Sequence, residues 1–157
     1  MTINDLNGII EHVLALQSPL FKEEGIKTEV HHTSDLPSIP FDKDRILQVL
    51  FNIISNATEA MEGQETKVLR IKTNAATSDE FVQVVISDTG TGIDQDNMSK
   101  IFDPFFSTKD RAQGTGLGLY ICYSIIKDHG GRIWAENNEW GGVSLSIELP
   151  VGNAPEG

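Results

Sequence analysis

A chain of 157 residues with 39% hydrophobic and 22% charged residues has the length and composition of one globular domain. Its 12 basic and 23 acidic residues give a net charge of −11, which excludes a broad basic footprint for nucleic acid. The apolar runs are far shorter than the roughly 20 residues of a membrane span, and Cys122 is the single cysteine. We therefore expect a soluble, cytoplasmic protein without an internal disulfide.

The hydrophobic pattern predicts three helices and five strands. In chain order they are a helix from a cap at Asn4 or Asp5 to about Phe21, a strand over 26–31, a helix between its N-cap Asp42 and Gly63, a hairpin of strands 68–73 and 81–87, a helix from about Gly116 to Asp128, and a hairpin of strands 132–136 and 143–149. Pro37 and Pro40 mark a loop after the first strand. This order predicts an α+β fold over residues 1–151, with helices on one face of a mixed, largely antiparallel sheet, and a flexible tail over 152–157.

The second predicted helix carries a polar row on one face, made of Arg45, Gln48, Asn52, Asn56 and Glu59. Asparagine has only middling helix propensity, so two asparagines four residues apart are unusual choices. Their amide oxygens would suit Mg²⁺, which takes oxygen ligands and shares substrate phosphates. Taken alone, the row is better explained by two surface asparagines that form local hydrogen bonds, so a metal site needs support from other motifs.

A carboxylate follows the strand over 81–87, and two glycines come after it, in the order Asp88, Gly90 and Gly92. An aspartate at the end of an apolar strand can accept a hydrogen bond from an exocyclic amino group, and the glycines let a flat ring such as adenine approach the backbone. The alternative is a strand-ending aspartate in an ordinary glycine turn. An aspartic protease would need a second Asp-Thr-Gly or Asp-Ser-Gly segment, and the chain has none.

A glycine-rich turn leads into the third predicted helix, with Gly114, Gly116 and Gly118 alternating with Thr115 and Leu117. Free N–H groups at a helix N-terminus, with the helix dipole behind them, form a phosphate site. The spacing matches neither the dinucleotide fingerprint nor the phosphate loop with its Gly-Lys-Ser/Thr ending. Together with the asparagine row and Asp88, this turn indicates a nucleotide-binding site.

The segment over 101–111 lies between these motifs and contains three aromatic residues followed by a charged stretch. Phe102 and Phe105 are expected to pack on the core, while Lys109 and Arg111 would face phosphate if the segment acts as a lid. The alternative is a surface loop with an apolar anchor and solvated charges.

Four ordered motifs carry a resemblance to a known family: Asn52-x-x-x-Asn56-Ala57, Asp88-x-Gly90-x-Gly92, Phe102-x-Pro104-Phe105, and the run from Gly114 to Leu119. Together they resemble the ATP-binding catalytic domain of bacterial two-component sensor histidine kinases, in the superfamily of gyrase, heat-shock-90 chaperones and mismatch-repair ATPases. The resemblance spans about Asn4 to Pro150 and implies a Bergerat-type fold that binds ATP and Mg²⁺. The Phe-Phe-Ser-Thr-Lys segment is most similar to nitrogen-regulation sensor kinases.

The resemblance also implies roles for single residues. Asp88 would bind the adenine amino group and Gly92 would lie against the ring. Asn56 would ligate Mg²⁺, Asn52 would support the metal or the phosphates, and Lys109 would be the lid cation that acts with them in catalysis. The other residues implied in nucleotide binding are Gly90, Ile93, Arg111, Gly114, Thr115, Gly116, Leu117 and Gly118.

The chain departs from the family pattern at two positions. Many relatives have a basic residue three positions after the metal-binding asparagine, where this chain has Glu59. The hydroxyl often found at the start of the last strand is replaced by Val143. These departures give Lys109 and Arg111 more weight as phosphate-binding cations.

The reaction type depends on Asn52. Gyrase-like and chaperone-like relatives have a glutamate at this position, four residues before the metal-binding asparagine. An amide cannot act as a general base, so attack by water should be slow and the γ-phosphate is kept for another nucleophile. The base for that transfer would come from a partner.

The acceptor is expected to lie outside this chain, because none of its four histidines has the His-Glu setting with a following proline that the family uses. The resemblance implies a monomeric catalytic fragment that phosphorylates a histidine on a separate dimerisation hairpin, with a response regulator downstream. No nucleic-acid binding or membrane insertion is expected of the fragment, although a longer parent could be anchored in a membrane. The alternative is a non-enzymatic nucleotide-sensing module.

Overall fold

The computed structural model describes residues 1–33, 36–75, 80–104 and 118–152. Within them the chain forms β1 (Thr2–Asn4), α1 (Leu6–Glu24), β2 (Lys27–His31), β3 (Ile39–Phe41), α2 (Lys43–Ala60), β4 (Val68–Ala75), β5 (Phe81–Ser87), α3 (Gln95–Met98), α4 (Gly118–Asp128), β6 (Arg132–Asn137) and β7 (Val143–Pro150). No helix of these four stretches has both the length and the hydropathy to cross a membrane. Residues 153–157 of the expected tail lie outside the described residues.

Five strands form one sheet in the order β2-β4-β5-β7-β6. Only β2 and β4 pair in parallel among these neighbours of the described sheet; β4–β5, β5–β7 and β6–β7 are antiparallel. Alternate residues of the three central strands are buried against the helices: Leu69, Ile71, Val82, Val84, Ile86, Leu145, Ile147 and Leu149. The predicted α+β architecture and both predicted hairpins are confirmed.

Two short strands and one short helix were not predicted. The loop expected through Pro40 is wrong, because Pro40 lies in β3 and is paired with Ile3 of β1 in a separate two-stranded ribbon. Proline lacks the N–H that a central strand needs but is tolerated in such a marginal pair. Its neighbours Ile39 and Phe41 are fully buried, so the short strand is held mainly by packing.

The first helix also runs further than predicted, to Glu24 instead of Phe21. It ends where Gly25 takes a left-handed conformation with φ of 73°, and the N–H of Gly25 binds the carbonyls of Phe21 and Lys22. Glycine adopts this conformation without the steric cost of a side chain, so it is a common helix stop.

Helix α2 is the centre of the helical layer and packs against both α1 and α4. Its N-cap Asp42 accepts a hydrogen bond from the N–H of Arg45, which satisfies one of the free donors of the first turn. The apolar residues of α2 lie on one side of the helix and are buried: Ile46, Val49, Leu50, Ile53, Ile54 and Ala57. Two members of the polar row, Arg45 and Asn52, contact the neighbouring helix α4 at Asp128 and Cys122.

A buried histidine joins the start of α2 to the end of α4. His129 binds the carbonyl of Ile125 through Nδ1 at 2.7 Å, and its Nε2 accepts the N–H of Asp42 at 3.0 Å. Both bonds are satisfied only when the ring is neutral with its proton on Nδ1. Arg45 and Asp128 form an ion pair of 2.8 Å beside it, with side chains 40% and 60% exposed.

We predict that His129→Ala lowers the free energy of unfolding by about 1–3 kcal/mol, because it leaves the Asp42 N–H and the Ile125 carbonyl without their partner. Asp128→Asn is the matched control at the exposed ion pair and should cost less than about 1 kcal/mol. Urea unfolding of both variants measures the difference, and equal losses would contradict the role of His129.

Candidate functional site

Asp88 lies immediately after the central strand β5 and is 6% exposed. Its Oδ1 accepts the N–H of Gly90 at 2.8 Å and the N–H of Val143 at 3.2 Å. The backbone therefore fixes the orientation of the carboxyl group.

The glycines around Asp88 allow close contacts that a side chain would prevent. A Cβ at Gly90 would lie 2.5 Å from the carbonyl oxygen of Ala60, at the end of α2. A Cβ at Gly142 would lie 2.3 Å from both the carbonyl oxygen and Oδ1 of Asp88. Gly90 thus packs against the end of α2 and Gly142 packs against Asp88. The role of Gly90 in nucleotide binding stays a prediction.

The two asparagines of α2 lie along α4, which runs antiparallel to α2. Arg45 pairs with Asp128, Asn52 contacts Cys122, and Asn56 lies near Gly118. Position numbers therefore rise along α2 while those of the neighbours on α4 fall. A Cβ placed at Gly118 would lie 4.0 Å from Nδ2 of Asn56. Asn56 is therefore beside the first turn of α4.

Cys122 is fully buried between the two helices and contacts Asn52. Its Sγ donates to the carbonyl of Val49 at 3.7 Å, and it forms a hydrogen bond with the side chain of Asn52. Burial raises the pKa of the thiol to about 12 from an ordinary 9.0, while the bond to Asn52 works in the opposite direction. Positions 52 and 122 are far apart along the chain, so no local sequence pattern predicts this contact.

The backbone of Ile93 is held by a side chain of the last hairpin. Asn137 accepts the N–H of Ile93 at 2.9 Å and donates to its carbonyl at 2.7 Å. Gly92 precedes it with φ of 76°, a conformation that favours glycine. Neither Asn137 nor its neighbour Asn138 is among the predicted site residues.

Glu59, the last member of the polar row, lies at the edge of a groove on the α1 side of α2. It borders this surface groove between α1 and α2 together with Leu20 and Glu24. Glu59 follows Asn56 by three residues on the same helix, so the two side chains are neighbours on the surface of α2.

The remaining predicted site residues lie outside the described residues: Lys109, Arg111, Gly114, Thr115, Gly116 and Leu117. Among the described residues there is no group of three or more His, Cys, Asp or Glu side chains that could hold a metal ion. The donors near α4 are the neutral amides of Asn52 and Asn56. Amide oxygens fit Mg²⁺, which keeps waters and takes further oxygens from substrate phosphates.

The family model described as "Histidine kinase-, DNA gyrase B-, and HSP90-like ATPase" matches residues 41–153. The chain belongs to this family. The match includes α2, the Asp88 loop and α4. The resemblance found in the four sequence motifs is confirmed, whereas the nitrogen-regulation subtype stays a prediction.

Two relatives within the family are sensor proteins. The chain is 36% identical over 149 residues to the sensor protein FixL of Bradyrhizobium diazoefficiens, covering 95% of this chain and 29% of FixL. It is 38% identical over 147 residues to the sensor histidine kinase ZraS of Escherichia coli K12, covering 94% of this chain and 30% of ZraS. The chain thus spans about three-tenths of the length of these relatives.

The fold is similar to the catalytic domain of the histidine kinase ThkA. In a nucleotide-free structure of that domain the TM-score is 0.85 and the identity is 35%, covering 97% of this chain and 98% of the other. A structure of ThkA in complex with the response regulator protein TrrA matches with a TM-score of 0.81 and 33% identity, covering 96% of this chain and 41% of the other. This member of the histidine kinase-like ATPase family is therefore similar in extent to a single catalytic domain.

We predict that Gly142→Ala lowers the free energy of unfolding by about 1–3 kcal/mol, because the new Cβ must displace Asp88 or the turn before β7. Gly152→Ala is the matched control, since no atom lies within 4 Å of a Cβ at that position. Urea unfolding of both proteins tests this, and an unaffected Gly142→Ala variant would show that the contact is not needed.

A second prediction concerns alkaline pH. The raised pKa of Cys122 means that its stabilising contribution is fully present below pH 9.0 and is lost as pH rises towards 12, because only the unfolded state releases the proton there. Relative to Cys122→Ser, the wild-type free energy of unfolding should fall by about 1 kcal/mol per pH unit above pH 9. Denaturant unfolding at pH 8, 9 and 10.5 measures this, and a constant difference would contradict the burial of the thiol.

Proposed function

We propose that this domain binds ATP with Mg²⁺ and donates the γ-phosphate to a histidine on a separate helical hairpin. The observation that carries the proposal is the buried Asp88 carboxyl group, fixed by two backbone N–H groups beside a glycine loop. The similarity to FixL, ZraS and the catalytic domain of ThkA supports the same function.

Base recognition is assigned to the Asp88 loop. The Asp88 carboxylate would accept a hydrogen bond from the exocyclic amino group of adenine, a donor that guanine does not carry at that position. Gly92 would lie against the ring, with Gly90 and Ile93 forming the rest of the loop. Because the carboxyl group is already oriented by the backbone, little ordering would be needed when the base binds.

Phosphate and metal binding are assigned to the space between α2 and α4. Asn56 would hold Mg²⁺ beside the first turn of α4, and Asn52 would support the metal or the phosphates. When bound, Mg²⁺ supplies positive charge that offsets the charge of the phosphates. Backbone N–H groups at the start of α4 suit anions for the same electrostatic reason. This proposal extends to the remaining residues of the glycine turn and lid: Lys109, Arg111, Gly114, Thr115, Gly116, Leu117 and Gly118.

Transfer to a protein histidine is favoured over hydrolysis because of Asn52. Its amide cannot take a proton from water, and its hydrogen bond with the Cys122 thiol ties it to α4. The described part of the chain would thus bind and orient the nucleotide, while the base for the acceptor histidine comes from the hairpin. The complex of ThkA with TrrA supports a place in two-component signalling, with a response regulator downstream. The isolated domain is proposed to be a cytoplasmic monomer of the nitrogen-regulation type.

The first test is calorimetric titration of ATP with Mg²⁺ into the domain and into Asp88→Asn. The wild type should give a saturating isotherm without sustained heat, and Asp88→Asn should weaken ATP binding at least about tenfold, because it loses a charged acceptor for the amino group. Asp44→Asn makes the same change at an exposed position of α2 and should leave binding unchanged.

The second arm of the test adds the phosphoacceptor hairpin of a related kinase and radiolabelled ATP. Transfer of the radiolabel to the hairpin histidine supports the proposed kinase activity. Binding without transfer favours the nucleotide-sensing module, sustained heat indicates an ATPase, and absence of ATP binding overturns the base-site assignment.

A further inference from the structure

Two consecutive asparagines, the last residue of β6 and the first residue of the turn after it, both reach the loop over 88–93 with their side chains. Asn137 accepts the N–H of Ile93 at 2.9 Å and donates to its carbonyl at 2.7 Å. Asn138 donates through Nδ2 to the carbonyl of Asp88 at 3.0 Å. The two ends of the loop are therefore held by neighbouring residues of the last hairpin.

Asn138 also shapes the turn to which it belongs. Its Oδ1 accepts the N–H of Trp140 at 2.9 Å and the N–H of Gly142 at 3.1 Å. This arrangement brings Gly142 against Asp88 and aims the N–H of Val143 at Asp88 Oδ1. The Asn138 side chain thus donates a hydrogen bond to the loop and accepts hydrogen bonds from the turn.

The turn is anchored on the opposite side by the sheet. The Trp140 ring is 45% exposed and lies 4.2 Å from the guanidinium carbon of Arg70 on β4. Arg70 is itself paired with Glu29 of β2 at 2.9 Å. A cation over an aromatic face is attractive, so the turn is held to the strands while the two asparagines hold the loop.

We propose that Asn138, assisted by Asn137, is a positioning residue that sets base selectivity by orienting Asp88. The inference rests on the proposed function, because it takes Asp88 as the group that reads the exocyclic amino group. It requires an amide at position 138, since aspartate supplies acceptors but no donor and would place a negative charge beside Asp88. Serine is too short to bridge the loop and the turn in the same way.

The test compares binding of ATP with binding of purine riboside triphosphate, which lacks the exocyclic amino group. The wild type should bind ATP roughly tenfold or more tightly than purine riboside triphosphate. Both Asn138→Asp and Asp88→Asn should reduce this affinity ratio towards one. Combining the two substitutions should cause no further loss, because both act on one interaction. Asn74→Asp on β4 adds the same charge away from the loop and should keep the preference.

The ratio of the two affinities separates positioning from a merely structural role. A variant that is less stable but keeps the wild-type preference for ATP overturns the inference. If Asn138→Asp does not fold, Asn138→Ser and Asn137→Asp are measured instead, and a retained preference in both likewise overturns it. Failure of the wild type to bind ATP, or an unchanged preference in Asp88→Asn, overturns the proposed function itself.

Discussion

A carboxyl group buried at the end of a central strand costs free energy unless its oxygens are hydrogen-bonded. In this domain the Asp88 carboxyl group accepts hydrogen bonds from backbone groups of two separate segments, the Gly90 N–H after β5 and the Val143 N–H at the start of β7. The main chain of Asp88 is bound as well, by the Val143 carbonyl and the Asn138 amide. The loop, the last hairpin and the centre of the sheet therefore depend on one another.

Helix α2 links this arrangement to the other half of the candidate site. Its apolar side is buried in the core, while Asn52 and Asn56 lie along α4. Its last residue, Ala60, packs against Gly90 of the Asp88 loop. One rigid helix thus sets the distance between the residues assigned to the base and those assigned to phosphate, which is how a site gains precision from regular structure.

Local sequence patterns were sufficient for α2, for both hairpins and for the loop that begins with Asp88, because each depends on spacing within a few residues. They did not predict β1, β3 or α3, which have only three or four residues each and carry too little periodicity. The contacts of Asn137 and Asn138 span 44 and 50 positions along the chain. Such contacts leave no local signal, so an Asn-Asn pair at the start of a hairpin turn resembles any other polar turn.

The topology has a thermodynamic consequence for the chain between the two central strands. Strands β5 and β7 are neighbours in the sheet, and β6 pairs with β7, so the stretch from Asp88 to Gly131 begins and ends at fixed points on the same framework. The entropy of closing a flexible connection between fixed ends grows only with the logarithm of its length, by about 0.6 kcal/mol for each doubling. Val84 and Ile147 are paired in the sheet although they lie 63 positions apart, and pairing them therefore costs only slightly more closure entropy than pairing residues half as far apart.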